Sequence, residues 1–123
     1  SFLKTDTRIK NIEYVDDIKD VYYDADVFVF PVRHGGGTNF KLLEAASCGA
    51  PIIALPDRVK GLGFAENKEY IAAKTPQDFI FGINNLLDNK PLRRKISKNA
   101  RTLVEEEYDW VAIGKKLRDM LTA

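Results

Sequence analysis

Residues 27–30 (VFVF) form an unbroken apolar run that ends at Pro31 and is soon followed by three consecutive glycines. Valine and phenylalanine favour β-strands, and an apolar run without polar alternation is typical of a strand buried on both faces of a parallel sheet. Proline has no N–H group to donate to a sheet, so the strand ends there. A helical pattern at residues 39–48, closed by Gly49, comes next. The chain therefore predicts a strand, a glycine-rich loop and a helix, in that order.

A second buried strand is predicted at residues 51–55 (PIIAL), directly after this helix. Strand, helix and strand at this spacing form a parallel βαβ unit with a right-handed crossover. Weaker strand patterns at residues 11–15 and 70–73 extend the prediction to a mostly parallel sheet of about four strands. The sequence thus indicates the α/β fold class.

Helices account for most of the rest of the prediction. One short amphipathic helix is expected at residues 17–25, whereas residues 56–67 read as a loop because they contain a proline and two glycines. After Pro76 three further amphipathic helices form a helical C-terminal tail, each with an apolar stripe that is expected to face the core. The four stripes contain Ile18, Val21 and Tyr22; Phe79, Ile83, Leu86 and Leu87; Leu92, Ile96, Leu103 and Val104; and Trp110, Ile113, Leu117 and Leu121.

The composition fits one globular domain that comprises residues 1–123. The chain is 45% hydrophobic and 30% charged, and its 19 basic and 18 acidic residues give a net charge of +1. This balance provides no general attraction to nucleic acid or to an anionic membrane. The single cysteine, Cys48, excludes an intramolecular disulfide and a cysteine-cluster metal site and indicates a reducing, cytoplasmic location. No apolar stretch approaches the roughly 20 residues of a membrane-spanning helix.

The glycine-rich loop is the candidate ligand site. In open parallel sheets, ligands bind outside the carboxyl ends of the strands. Glycines let a ligand approach the backbone, and a helix N-terminus offers unpaired N–H groups and a positive dipole end to a phosphate. The residues at this place in the chain are Gly35, Gly36, Gly37, Thr38 and Asn39.

Lys41 and Glu44 lie in the helix that follows the loop. A cation in the first turn opposes the helix dipole, by about 0.3–1 kcal/mol, unless an anion binds nearby. Glu44 is three residues further on, so the two side chains share one face, where the ammonium would bind phosphate and the carboxylate ribose hydroxyls. The same residues also fit an ordinary glycine turn, an N-cap at Thr38 and a surface i,i+3 ion pair, so the spacing alone leaves both interpretations open.

Two familiar phosphate-binding motifs are excluded. The dinucleotide fingerprint requires a glycine where Phe40 stands, and the Gly-Lys-Ser/Thr sequence of the Walker loop is absent. The motifs therefore indicate neither a dehydrogenase nor a P-loop ATPase.

Residues 25–55 (ADVFVFPVRHGGGTNFKLLEAASCGAPIIAL) resemble the donor-site segment of GT-B glycosyltransferases similar to family 4. The resemblance extends upstream over residues 12–26 and downstream over residues 86–117, which are similar to the terminal helices of that family. It covers nearly the whole chain. It implies a partial Rossmann-like fold, that of the C-terminal, nucleotide-sugar-binding lobe of a two-lobed enzyme.

The resemblance also implies an activity and roles for single residues. The activity is transfer of a hexose from a nucleoside-diphosphate sugar to an acceptor, with retention of configuration and without a metal or other cofactor. Glu44 corresponds to the glutamate that binds the donor ribose, the amides of Gly37 and Thr38 would face the diphosphate, and Lys41 belongs to a glycine-threonine-lysine variant of the motif. Many members carry another glutamate eight residues before the ribose glutamate, and Gly36 stands at that position.

The same resemblance sets expectations about partners. The acceptor lobe and the first strands of the donor lobe have no counterpart in the chain, so the chain alone is expected to be inactive. Peripheral membrane association through the missing part, at the cytoplasmic face, and self-association through an exposed sheet edge are two further expectations. Two alternatives stay open: the lobe of a sugar-nucleotide epimerase, and a non-catalytic remnant or interaction module. Nucleic acid is not expected, because the basic residues between Arg93 and Arg101 are followed by three glutamates.

Overall fold

The computed structural model describes residues 6–10, 18–32, 39–108, 118 and 121. Its helices are α1 (Ile18–Asp24), α2 (Asn39–Ser47), α3 (Pro56–Val59), α4 (Pro76–Asp88) and α5 (Lys90–Glu107), and a short 3₁₀ turn covers Lys60–Leu62. Its strands are β1 (Phe28–Phe30), β2 (Ile52–Ala54) and β3 (Ile71–Ala72). The α/β fold class is confirmed.

The three strands form one parallel sheet in the order β1-β2-β3. Phe28 pairs with Ile52, and Ile53 pairs with Ile71, so β2 has a partner on each side. The predicted βαβ unit is therefore confirmed as β1, α2 and β2. The predicted strand at residues 11–15 lies outside the described residues, and the sheet has three strands within them.

Successive residues of β2 enter two separate cores. Ile52 belongs to the core between the sheet and helices α2 and α5. Ile53 belongs to the core between the sheet and α4, where it lies in the same cluster as Leu86 of that helix. These side chains have no exposed area. Because the sheet is covered by helices on both faces, its strands are continuous apolar runs, which is the pattern from which β1 and β2 were predicted.

The ends of α2 and α4 carry defined capping groups, of which Gly49 alone was predicted from the sequence. Thr75 accepts from the amide of Asp78 at 3.1 Å, while the carboxylate of Asp78 accepts from the amide of Thr75, which completes a capping box before α4. Gly49 has φ = 76°, the left-handed conformation that ends α2. Arg93 donates to the carbonyl oxygens of Leu86 and Leu87 at the end of α4. One of the basic residues in the sequence cluster thus caps a helix of its own chain.

Several expectations about local structure are wrong. Residues 56–62, which were predicted as part of a loop, form α3 and the 3₁₀ turn, because a proline at the first position tolerates a helix start and Val59 and Leu62 bury their side chains. Leu121, from the last predicted stripe, is 78% exposed, and Val21 and Leu87 are 38% and 47% exposed, although the apolar stripes placed all three in the core. The buried positions beside Val21 and Leu87 are taken by their neighbours in sequence, Tyr22 and Leu86, which point about 100° away around the helix. The last predicted helix lies outside the described residues except for two helical positions, 118 and 121.

None of the helices in the described part of the chain is both long and apolar enough to cross a bilayer.

A close approach between α4 and the sheet depends on Gly82. An added Cβ at this buried glycine would contact Ile53 Cδ1 and lie 3.3 Å from Ile71 Cγ2. We expect Gly82→Ala to destabilise the fold by roughly 1–2 kcal/mol, since overpacking costs about 1–3 kcal/mol and the gain in helix propensity offsets up to about 1 kcal/mol. Urea denaturation measures the change.

Asn85→Ala is the matched control, because Asn85 is an exposed residue of the same helix. It should leave the free energy of unfolding unchanged or raise it by a few tenths of a kcal/mol. If Gly82→Ala were as stable as this control, the contact between α4 and Ile53 would not restrict the size of the side chain at position 82.

Candidate functional site

The carboxyl ends of β1, β2 and β3 lie at one edge of the sheet because all three strands are parallel. The chain leaves β1 at this edge, and α2 begins at Asn39 after the glycine-rich segment. Asn39 is therefore the first helical residue beyond that segment, as predicted. The predicted donor-loop residues Gly35, Gly36, Gly37 and Thr38 lie outside the described residues, so their part in ligand binding stays a prediction.

Lys41 and Glu44 lie on the solvent-facing side of α2. Both residues are exposed, whereas Leu42, Ala45 and Ala46 on the opposite side have no exposed area. The packing of the buried side fixes the rotation of the helix, so the ammonium and the carboxylate are presented on one accessible face. α2 has no acidic residue in its first turn, so Lys41 is the charged residue nearest to its N-terminus. Their shared face is as predicted, and their roles stay predictions.

Glu44 has a partner from another helix. Tyr22 Oη, on α1, donates to Glu44 Oε2 at 3.2 Å. Tyr22 is 6% exposed and belongs to the core that lies beneath α2. The exposed carboxylate is therefore connected directly to a side chain that the core holds in place.

Burial has the largest effect on the pKa of the Tyr22 phenol. Burial first, and then the negative charge and hydrogen bond of Glu44, raise the pKa of Tyr22 to about 12. The phenol thus keeps its proton throughout the physiological range and remains a donor to Glu44. A hydrogen bond to an ionised acceptor is stronger than one between neutral groups.

The sequence placed Tyr22 on the buried stripe of a short helix but did not predict its contact with Glu44. The two residues are 22 positions apart, so no helical or strand periodicity connects them. One signal was present: a tyrosine on a buried helix face needs a partner for its hydroxyl. That signal predicts that a partner exists, and only the packing of α1 on α2 identifies it.

A second feature at the carboxyl edge is an open groove of about 390 Å³. Apolar side chains from β1, the end of β2 and the start of α4 form most of its wall, and Lys74 and Thr75 are its polar residues. The hydroxyl of Thr75 already serves the capping box of α4. The residues that line the groove are Val29, Pro31, Leu55, Lys74, Thr75, Pro76, Phe79 and Ile80. Sequence analysis missed this groove, since its walls come from segments that only the parallel sheet brings together.

Metal and thiol chemistry have no visible site among the described residues. No group of three His, Cys, Asp or Glu side chains is arranged there to hold a metal ion. The thiol of Cys48 is buried, as expected for an inert cysteine at the end of a packed helix.

The chain has a parallel sheet with helices on both faces, and α2 begins at the carboxyl edge of that sheet. These features place it in the Rossmann-like class of α/β domains. The chain belongs to the glycosyltransferases: residues 4–119 match the family described as Glycosyl transferase-like. The resemblance of the donor-site segment to this class is thereby confirmed at the level of the family.

Curated relatives agree with this assignment. An uncharacterised glycosyltransferase of Methanocaldococcus jannaschii, MJ1069, is 30% identical over 90 residues, which is 70% of this chain and 22% of that protein. A second one from the same organism, MJ1607, is 27% identical over 103 residues, 82% of this chain and 26% of that protein. The matched region thus spans about a quarter of the length of these relatives.

A solved structure supports the fold. It is the C-terminal domain of a glycosyl transferase group 1 family protein, LpcC, from Francisella tularensis. It superposes with a TM-score of 0.69 at 23% identity and covers 83% of this chain and 53% of that one. The expected Rossmann-like fold of a glycosyltransferase C-terminal domain is therefore confirmed.

The raised pKa of Tyr22 predicts a loss of stability in alkaline solution. Between its ordinary pKa of 10.0 and the folded value of about 12, the unfolded chain has released this proton and the folded chain still binds it. Raising the pH through this window therefore favours unfolding. We expect the free energy of unfolding, measured by urea denaturation at several pH values, to fall across it.

Tyr22→Phe should lose less stability than the wild type over the same window, because it lacks this titrating group. Tyr23→Phe is the control, since Tyr23 is 61% exposed on the same helix and should behave as the wild type does. Tyr70, whose pKa burial also raises, is present in all three proteins and contributes equally. Identical pH profiles for both variants would contradict the assignment.

Proposed function

We propose that this chain is the donor-binding part of a glycosyltransferase that transfers a hexose from a nucleoside-diphosphate sugar with retention of configuration. The observation that carries the proposal is the pair of accessible charges on α2 at the carboxyl edge of the sheet, Lys41 and Glu44, with Glu44 held by Tyr22. Membership of the glycosyltransferase family supports a sugar donor as the ligand. The identity of the sugar, its diphosphate and the stereochemical outcome belong to the proposal.

Lys41 is proposed to bind the diphosphate. Its ammonium lies in the first turn of α2, where a positive charge opposes the helix dipole by about 0.3–1 kcal/mol. A diphosphate at the helix N-terminus removes this penalty, because it interacts favourably both with the dipole and with the ammonium. From the sequence pattern, the backbone amides of Gly35, Gly36, Gly37 and Thr38 are assigned to the same phosphates.

Glu44 is proposed to bind the ribose of the donor. Its carboxylate accepts hydrogen bonds and is exposed, on the same face of the helix as Lys41. Two hydroxyl groups of a ribose are suitable donors to a carboxylate. The nucleoside would then lie further along α2 than the diphosphate, which agrees with the order of the two charged residues in the helix.

Positive charge from Lys41 and from the helix amides would stabilise the departing diphosphate, so we propose that donor binding needs no metal ion. Chelation of divalent cations should then leave nucleotide affinity unchanged.

The acceptor is proposed to bind to a lobe outside this chain, and we therefore expect the chain alone to transfer no sugar. Assay of sugar release from the donor with the isolated chain tests this expectation.

Replacement of Lys41 tests the phosphate assignment. We expect Lys41→Ala to weaken the binding of UDP, GDP or dTDP, whichever the wild type binds most tightly, by about three- to tenfold. The loss should shrink at high salt, because Lys41 is exposed and its charge is screened there. Amide chemical shifts followed by NMR during titration measure affinity and show which part of the chain responds.

Lys95→Ala is the matched control, since Lys95 is an exposed lysine of α5. It lowers the net charge by the same amount and should leave the affinity unchanged within a factor of about two. Equal effects of the two variants would show that only the net charge of the chain matters, and unchanged affinity in Lys41→Ala would contradict the proposed phosphate contact.

A further inference from the structure

Tyr22 contacts the proposed site from a different helix. Its ring lies in the core and meets the ring of Phe28 edge to face, with centroids 5.4 Å apart and an angle of 71° between the planes. Phe28 in turn stacks on Phe30 at 6.0 Å, so the phenol is anchored to β1 itself. The hydroxyl leaves this aromatic packing and reaches Glu44 Oε2 at 3.2 Å.

Glu44 needs such an anchor if it is to bind a ligand in one geometry. It is exposed, and a glutamate side chain has three rotatable bonds, so without a partner its carboxylate samples several rotamers. The phenol, by contrast, is held by a buried ring with few alternative positions.

We propose that Tyr22 is a positioning residue, which holds the Glu44 carboxylate in the orientation that receives the nucleoside of the donor. The proposal rests on the proposed function and deepens it. Tyr22 itself touches no ligand in this scheme. It lowers the entropy that Glu44 loses on binding, because the carboxylate is ordered before the ligand arrives.

A purely structural role for Tyr22 makes a different prediction. If the hydroxyl bonds Glu44 only to satisfy its own need for a partner, its removal changes stability and leaves the recognition of different parts of the ligand unaltered. A positioning role affects the contact with the nucleoside and spares the contact with the phosphates, since Glu44 is assigned to the former. The ratio of nucleotide affinity to pyrophosphate affinity therefore separates the two roles.

The experiment compares Tyr22→Phe with Tyr23→Phe in the full chain. Tyr23 is the neighbouring tyrosine, 61% exposed, so the control removes the same atom from the same helix. Affinities for pyrophosphate and for the most tightly bound of UDP, GDP and dTDP are measured by calorimetry, and the amide NMR spectrum verifies that each variant is folded. We expect Tyr22→Phe to weaken nucleotide binding by about three- to tenfold and to change pyrophosphate binding less than about twofold.

A double-mutant cycle links the effect to Glu44. Glu44→Ala should itself weaken nucleotide binding, and in its background the addition of Tyr22→Phe should have little further effect, because the side chain to be positioned is gone. Equal losses from Tyr22→Phe with and without Glu44 would show that the tyrosine acts by another route and would overturn the proposal.

The remaining outcomes distinguish this inference from the proposed function. If Glu44→Ala weakens nucleotide binding and Tyr22→Phe does not, the positioning role is wrong and the proposed function stands. If Glu44→Ala has no effect, the ribose assignment of Glu44 is wrong, and the positioning role fails with it. A folded wild-type chain that binds none of the three nucleotides would contradict donor binding by this chain altogether.

Discussion

The burial of β2 determines the arrangement of everything else in this domain. Its residues have no exposed area, its backbone pairs with β1 on one side and β3 on the other, and alternate side chains enter different cores. A strand enclosed in this way cannot shift its register by one residue without exchanging the contents of the two cores. Ile53 also limits how closely α4 can approach, which is why a glycine stands at position 82. The parallel sheet, its order and the place of its carboxyl edge follow from this one strand.

The sheet in turn fixes the charged face of α2. The crossover from β1 to β2 directs the N-terminus of α2 towards the carboxyl edge, and Leu42, Ala45 and Ala46 turn its apolar side onto the sheet. Lys41 and Glu44 are left outside as a consequence. The position of the candidate site is thus a product of core packing, whereas its chemistry comes from two exposed side chains that contribute little to that packing.

Periodicity and turn residues predicted the parts of the fold that depend on short stretches of sequence. The apolar run before Pro31 predicted the strand, and Gly49, which is left-handed in the structure, predicted the end of α2. The helices expected after Pro76 are present as α4, which begins at that proline, and α5. Residues 56–62 were misassigned because proline and glycine indicate loops on average, while the burial of Val59 and Leu62 stabilises short helical turns here.

Contacts between segments that are far apart in the chain could not be predicted from the periodicity of the sequence. The contact between Tyr22 and Glu44 spans 22 positions, and the groove at the carboxyl edge is built from three separate stretches of chain. Val21 and Leu87 show the related problem on a smaller scale, since an apolar residue beside a buried stripe is equally compatible with the core and with the surface until the neighbouring element is placed. Sequence patterns therefore identified the helix that carries the candidate site, and tertiary packing identified what orients it.

In the proposed site the carboxylate of Glu44 needs a hydrogen-bond donor, and Tyr22 provides one. A diphosphate bound near Lys41 would add negative charge beside the carboxylate of Glu44. In the proposed complex the nucleoside would partly exclude water from this carboxylate, which is then favoured only if hydrogen-bond donors satisfy its oxygens. The phenol of Tyr22 provides such a donor from the protein side, and its raised pKa keeps it protonated throughout the physiological pH range, in which a diphosphate is charged. In the proposed complex the ribose hydroxyls would complete the set, so that the glutamate binds the sugar ring of the nucleotide while the lysine offsets the charge of its phosphates.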